Sequence, residues 1–181
     1  MSLWFDMEMN IQTDSNKKDI ADLQVGKAGE HLVCADLIVK GYVAFLSEQG
    51  LGYDVIVDID GRLLRIQVKS AMTHRPLPQR MKHTPSYLFY IKRTGKYGRK
   101  TYRESDIDIF ALVALDINKI AYISVKKSKT SMNFRCVPTK NNKKGKYFDN
   151  YSFELALQDL DIIIKFPPKT IKKDNQQKLE F

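Results

Sequence analysis

The dipeptide Asp60-Gly61, set between two alternating apolar runs, constrains this chain more than any other feature. Asp-Gly suits a two-residue type I′ turn, whose central positions both need positive φ. Before it, Val55, Val57 and Ile59 alternate with Asp54 and Asp58; after it, Leu64, Ile66 and Val68 alternate with Arg65, Gln67 and Lys69. The spacing predicts two antiparallel strands, over 54–59 and 63–70. With Ile59 facing Arg62, the numbers of every paired couple sum to 121, so Asp54 stands opposite Gln67. A four-residue loop keeps that register, whereas an odd-length loop or a bulge breaks it. Side chains alternate, so Asp54, Gln67 and Lys69 share one face. Val55, Val57, Leu64, Ile66 and Val68 share the other, which needs a helix to cover it. A carboxylate, an amide and an ammonium thus meet at the open end of the hairpin, a grouping that suits a ligand site and equally a solvated face with a cross-strand ion pair.

Upstream, from about Lys17 to Lys40, the apolar residues Ile20, Leu23, Ala28, Leu32, Cys34, Ala35 and Ile38 recur at helical spacing. Gly41 stands where a helix C-terminus places its left-handed residue. Gly26 and Gly29 lower the helix propensity. Glu30 lines up with Gly26, Val33 and Leu37 on a stripe otherwise small or apolar. An acid there needs a metal or a basic partner such as Lys27. Further strands are expected at 42–46, 87–91, 107–115 and 119–125, with a turn at Gly50-Leu51-Gly52, a polar stretch holding Pro76, Pro78 and Pro85, and a short helix at 151–160. This order predicts an α/β or α+β sandwich. Residues 1–16 and 167–181 are expected to be flexible ends of one domain spanning 17–166.

The 181 residues are 43% hydrophobic, enough for a real core. No apolar run approaches the roughly 18 residues of a membrane span, and the N-terminus lacks a signal-peptide profile. Cys34 and Cys136 read as reduced thiols, which with the missing signal predicts a cytoplasmic protein. The net charge of +9 is uneven: residues 1–61 hold four Lys or Arg against eleven Asp or Glu, leaving 26 against 10 in the remainder. Such a basic region suits a phosphate-rich partner, because neutralising phosphates releases counterions. Lys92, Arg93, Lys96, Arg99, Lys100 and Arg103 crowd one segment with Tyr97 and Tyr102 between them. Lys126, Lys127, Lys129 and Arg135 follow, then Lys140, Lys143, Lys144 and Lys146. Solvated turns are the plainer reading of each segment. His31, His74 and His83 show no metal-ligand spacing.

Three stretches follow one another in the order helix, strand, hairpin: Gly26-Lys27-Ala28-Gly29-Glu30, Gly52-Tyr53-Asp54-Val55 and Ile66-Gln67-Val68-Lys69-Ser70. Together they resemble the PD-(D/E)XK nuclease superfamily over residues 20–72, and more weakly at 106–110 and 121–123. The flavour is nearest to the branch that includes intron-encoded homing endonucleases, which also carries glutamine in the motif. Tyr53 departs from the family's proline, and Gln67 from its usual Asp or Glu. The resemblance implies an α/β core, a mixed sheet flanked by helices in αβββαβ-type order. It implies a Mg²⁺-dependent DNA endonuclease of homing or restriction type, with Mn²⁺ able to substitute. Glu30, Asp54, Gln67 and Lys69 would be the catalytic set, with Asp54, Gln67 and Glu30 holding the metal. Double-stranded DNA would be gripped by Lys92, Arg93, Lys96, Arg99, Lys100, Arg103, Lys143 and Lys144. The same resemblance implies a nucleoid-associated homo-oligomer. A catalytically idle nucleic-acid-binding module on this fold, or a junction resolvase, is the alternative. Glu30, Asp54 and Lys69 standing together favours the enzyme.

Overall fold

In a computed structural model of the chain, residues 22–48, 50–75, 86–95, 98–100, 102–135 and 145–164 are described, without the side chains of 93–95 and 98–100. The first element is α1 (Asp22–Val39), ended by a Schellman cap. In that cap the Tyr42 amide bonds to the Leu37 carbonyl at 3.0 Å and the Gly41 amide to the Ile38 carbonyl at 2.9 Å. Gly41 adopts φ 89°, as its position in the sequence predicts. The expected beginning of this helix at Lys17 lies outside the described residues.

Strands β1 (Val43–Leu46), β2 (Val55–Ile59) and β3 (Arg62–Ala71) follow as an antiparallel meander. Asp60 at φ 52° and Gly61 at φ 86° make the tight turn, and Ile59 pairs with Arg62 and Val55 with Ile66. The register is therefore the one the turn chemistry dictates. β7 (Ile109–Ala114) then runs parallel to β3, and β8 (Lys119–Ser124) closes the five-stranded mixed sheet in the order β1-β2-β3-β7-β8. Every residue of β7 is buried, which a strand with covered faces and neighbours on both sides requires.

One sheet face carries Val55, Val57, Leu64, Ile66, Val68, Ile109, Ala111 and Val113 beneath α1 and the short helix α2 (Phe153–Gln158). The expected helix over 151–160 is thus present in shortened form. On the other face Phe110, Leu112, Ala114, Ala121 and Ile123 are covered by a two-stranded ribbon, β4 (Ser86–Tyr90) with β9 (Ser131–Arg135). The basic segment forms a small hairpin, β5 (Arg93–Gly95) with β6 (Gly98–Lys100). Where an αβββαβ order has a helix between β3 and β7, the described residues of the crossover form strands β4 to β6 instead. The proline stretch of that crossover lies outside the described residues.

The buried stripe of α1 is Gly29, Val33 and Leu37, flanked by the partly buried Leu32 and Cys34. Ala28, Ala35, Leu23 and Ile38, which the helical spacing also offered, are exposed. The reason is a close approach: a Cβ on Gly29 would overlap Ser70 Oγ and sit 2.9 Å from Ser70 Cβ. The helix meets β3 along its smallest side chain, and that contact selects the face. Among the described residues no helix is long and apolar enough to cross a membrane.

Candidate active site

Asp54 is held at the entrance of β2 by its backbone and its carboxylate together. Its amide donates to the Ile66 carbonyl at 2.9 Å, and its carbonyl accepts from the Ser47 amide at 2.9 Å. Ser47 Oγ donates to the carbonyl of Tyr53 at 2.5 Å, fixing the residue before it. The Asp54 carboxylate then reaches across to β3. Its Oδ2 accepts from the Val68 amide at 2.7 Å and from Gln67 Nε2. Oδ1 takes neither bond. Gln67 is buried at 8% exposure, so the amide it presents to Asp54 is fixed away from solvent.

Burial pushes the Asp54 carboxyl above the ordinary carboxylate range. The Val68 amide opposes that rise, the nearby Glu30 carboxylate adds to it, and the Lys69 and Lys27 ammonium groups oppose it. All four predicted residues thus act on one point: Gln67 by a hydrogen bond, Glu30 and Lys69 through their charge, with Asp54 at the centre. Lys27 is a fifth member. Its Nζ pairs with Glu30 Oε2 at 2.7 Å, the partner that sequence reasoning offered as the alternative to a metal.

Glu30 reaches the site because Gly29, beside it, lets α1 lie against Ser70 and Val68 of β3. The Ser70 hydroxyl at this contact is buried and has no hydrogen-bond partner among the described residues. Lys69 lies beyond Gln67 on the same face of β3. Its Nζ donates to the Tyr102 hydroxyl at 3.1 Å and stands 5.4 Å from the centre of that ring. Among the described residues Lys69 forms no ion pair with a carboxylate.

Sequence reasoning missed what holds this corner together. Tyr102 was legible only as an aromatic among basic residues. The Arg65 amide and Nε both bond Asp108 Oδ2, at 2.8 and 3.0 Å, and Nη2 bonds Asp108 Oδ1 at 3.2 Å. The guanidinium also donates to the carbonyls of Glu104 and Ser105. This clamp ties the 104–108 segment to β3, and nothing in the local sequence announces a pairing across 43 positions.

The proposed DNA-contacting residues are divided. Lys92 is half-buried, Arg103 is exposed, and Arg93, Arg99 and Lys100 stand on the backbone of the β5–β6 hairpin. Lys96, Lys143 and Lys144 lie outside the described residues. Among the described residues no three His, Cys, Asp or Glu side chains form a metal cluster. The donors present are two carboxylates, on Asp54 and Glu30, and the side-chain amide of Gln67. These are hard oxygen donors without thiolate or imidazole, and that chemistry fits Mg²⁺ or Mn²⁺. As placed, Gln67 turns its nitrogen to Asp54. Rotation of the amide would exchange Nε2 for Oε1, the atom a cation requires.

Comparison with known proteins agrees with this geometry. The structure of a bacterial homing endonuclease, I-Ssp6803I, matches with a TM-score of 0.57 at 17% identity, covering 78% of this chain and 97% of that one. At that identity the likeness speaks for the fold. No curated protein matches. A family model described as PD-(D/E)XK endonuclease matches residues 16–154, a span that contains Glu30, Asp54, Gln67 and Lys69. By that match, and with the sheet and hairpin just described, the chain belongs to the PD-(D/E)XK endonuclease family.

Proposed function

We propose that this protein is a Mg²⁺-dependent endonuclease that hydrolyses phosphodiester bonds of double-stranded DNA. The observation that carries the reading is the convergence on Asp54: a desolvated carboxylate bonded by Gln67 and acted on by Glu30 and Lys69. Such an arrangement is costly for stability, since it crowds two acids in a partly dry corner. A divalent cation offsets that cost.

Asp54 and Glu30 would hold the cation, with Gln67 contributing its amide oxygen after rotation and Mn²⁺ able to substitute. A cation there would supply charge neutralisation at the scissile phosphate and make a water more acidic. The chain's own groups do the rest. Asp54 is kept fixed by the Val68 amide, so its free oxygen stays aimed while substrate arrives. Lys69 Nζ, as an ammonium, orients the attacking water and offsets charge building on the phosphate oxygens. The β5–β6 hairpin and Arg103 would contact the backbone of the duplex, which positions the substrate without reading its sequence. A double-strand cut needs a site for each strand, so two or more copies of the chain would act together.

Incubating the purified protein with supercoiled plasmid and with branched DNA, with and without Mg²⁺, tests the reading. Metal-dependent nicking or linearisation supports it, and preference for the branched substrate would mark a resolvase. Retention of DNA without cleavage of any substrate would identify the idle binding module instead.

A further inference from the structure

We propose that Tyr102 is a positioning residue for Lys69, holding its ammonium in reach of substrate and off the Asp54 carboxylate. The inference rests on the reading of the site as a nuclease centre given above. Lys69 is close enough to Asp54 for its charge to act on that carboxyl. A long, rotatable ammonium beside a partly desolvated acid would ordinarily pair with it. Here it does not; Nζ is bonded to the Tyr102 hydroxyl at 3.1 Å and lies near the ring face. An ammonium locked on Asp54 would occupy the carboxylate a cation needs and would be withdrawn from the phosphate. The tyrosine therefore keeps two groups of opposite charge available in one small site.

Tyr102 can do this because it is itself fixed. Its ring packs edge-on against Phe110 of β7, with centroids 5.3 Å apart at 83°. Just beyond it, the turn of residues 103–106 is closed by the bond from the Asp106 amide to the Arg103 carbonyl at 2.9 Å. The Arg65–Asp108 clamp then anchors that turn to β3, the strand that carries Lys69. The donor is thus braced on β3, and the acceptor, in the segment before β7, against Phe110 of that strand. The hydroxyl oxygen accepts from Lys69 and keeps its own proton to donate to a phosphate oxygen.

The test uses the full chain with Tyr102→Phe, which removes the hydroxyl and keeps the ring on Phe110. Three readouts are taken: single-turnover cleavage of plasmid DNA with Mg²⁺, DNA affinity, and the crystal structure of the free variant. A bond to a charged donor is worth about 1.5–3 kcal/mol, so the cleavage rate should fall about ten- to a hundredfold. DNA affinity should stay within about twofold, and Lys69 Nζ should move into contact with Asp54. Tyr102→Leu, which also loses the ring, should be slower still. Wild-type cleavage by Tyr102→Phe, or Nζ unmoved in its structure, overturns the proposal. If the wild type itself cuts no DNA, the nuclease reading fails, and the position of Nζ in the variant still decides the role of Tyr102.

Discussion

Replacing Gly29 by alanine should be destabilising although alanine is the better helix former. In a helix interior Ala is favoured over Gly by about 0.8–1.0 kcal/mol. At Gly29 the added methyl would overlap Ser70 Oγ, lie 2.9 Å from Ser70 Cβ and 3.4 Å from Val68 Cγ1. The hydroxyl can rotate away, but Ser70 Cβ belongs to β3 and cannot yield without moving the strand or the helix. Overpacking of this kind costs about 1–3 kcal/mol. The balance is a net loss of about 1 kcal/mol, or a fall in Tm of about 3 °C for a domain of this size. Gly26 is the internal control: nothing lies within 4 Å of a Cβ placed there, so Gly26→Ala should gain the full propensity difference. Ser70→Ala removes a buried hydroxyl that has no partner among the described residues, and should be neutral or stabilising by up to about 1 kcal/mol. Combined with Gly29→Ala it should recover part of the loss, a coupling of about 1 kcal/mol. Thermal melts of the four variants make the measurement. Because Glu30 follows Gly29 on the helix, Gly29→Ala should also slow cleavage where Gly29 sets the spacing. A Gly29→Ala protein that melts higher than wild type, as Gly26→Ala should, would refute the close approach of α1 to β3.

Lys69→Ala should abolish cleavage and leave duplex affinity within a few-fold, checked by single-turnover kinetics beside a binding titration. Gln67→Glu replaces the donor that faces Asp54 by a second acid, so without metal it should lose about 0.2–1 kcal/mol through cross-strand repulsion. Mg²⁺ should restore its Tm and bind at least as tightly as to wild type; equal melting with and without Mg²⁺ would remove Gln67 from the metal site. Asp54 has a folded pKa raised by burial. Between the ordinary carboxylate range and that raised value the folded state holds a proton the unfolded chain has lost, so stability falls as pH rises through this window. Metal-free Asp54→Asn should therefore melt higher than wild type at neutral pH, with the advantage vanishing below the ordinary carboxylate range in a pH series of melts.

The parts of this molecule legible in its sequence are those set by local chemistry. Asp60-Gly61 permits one tight turn, whose register runs to Val55 opposite Ile66 and leaves the Asp54 side chain in reach of Gln67. Gly41 as a helix cap is legible for the same reason, since its positive φ is a property of the residue. What escaped depends on partners far along the chain. β9 exists because Met132 and Phe134 alternate into the core against β4, more than forty residues upstream. The face of α1 was ambiguous because small and apolar residues surround the helix, and a contact with Ser70 decided among them. Tyr102 and the Arg65–Asp108 clamp belong to the same class: each is defined by a distant strand.

The central claim, that Asp54 gathers a metal-dependent cleavage site, is tested most directly by plasmid cleavage with wild type and Asp54→Asn across a Mg²⁺ titration, with Tm followed in the same samples. The account predicts cleavage and a Tm that both rise with Mg²⁺ for wild type, and neither response in the variant. Metal-dependent cleavage that survives Asp54→Asn, with an unchanged rise in Tm, would contradict it.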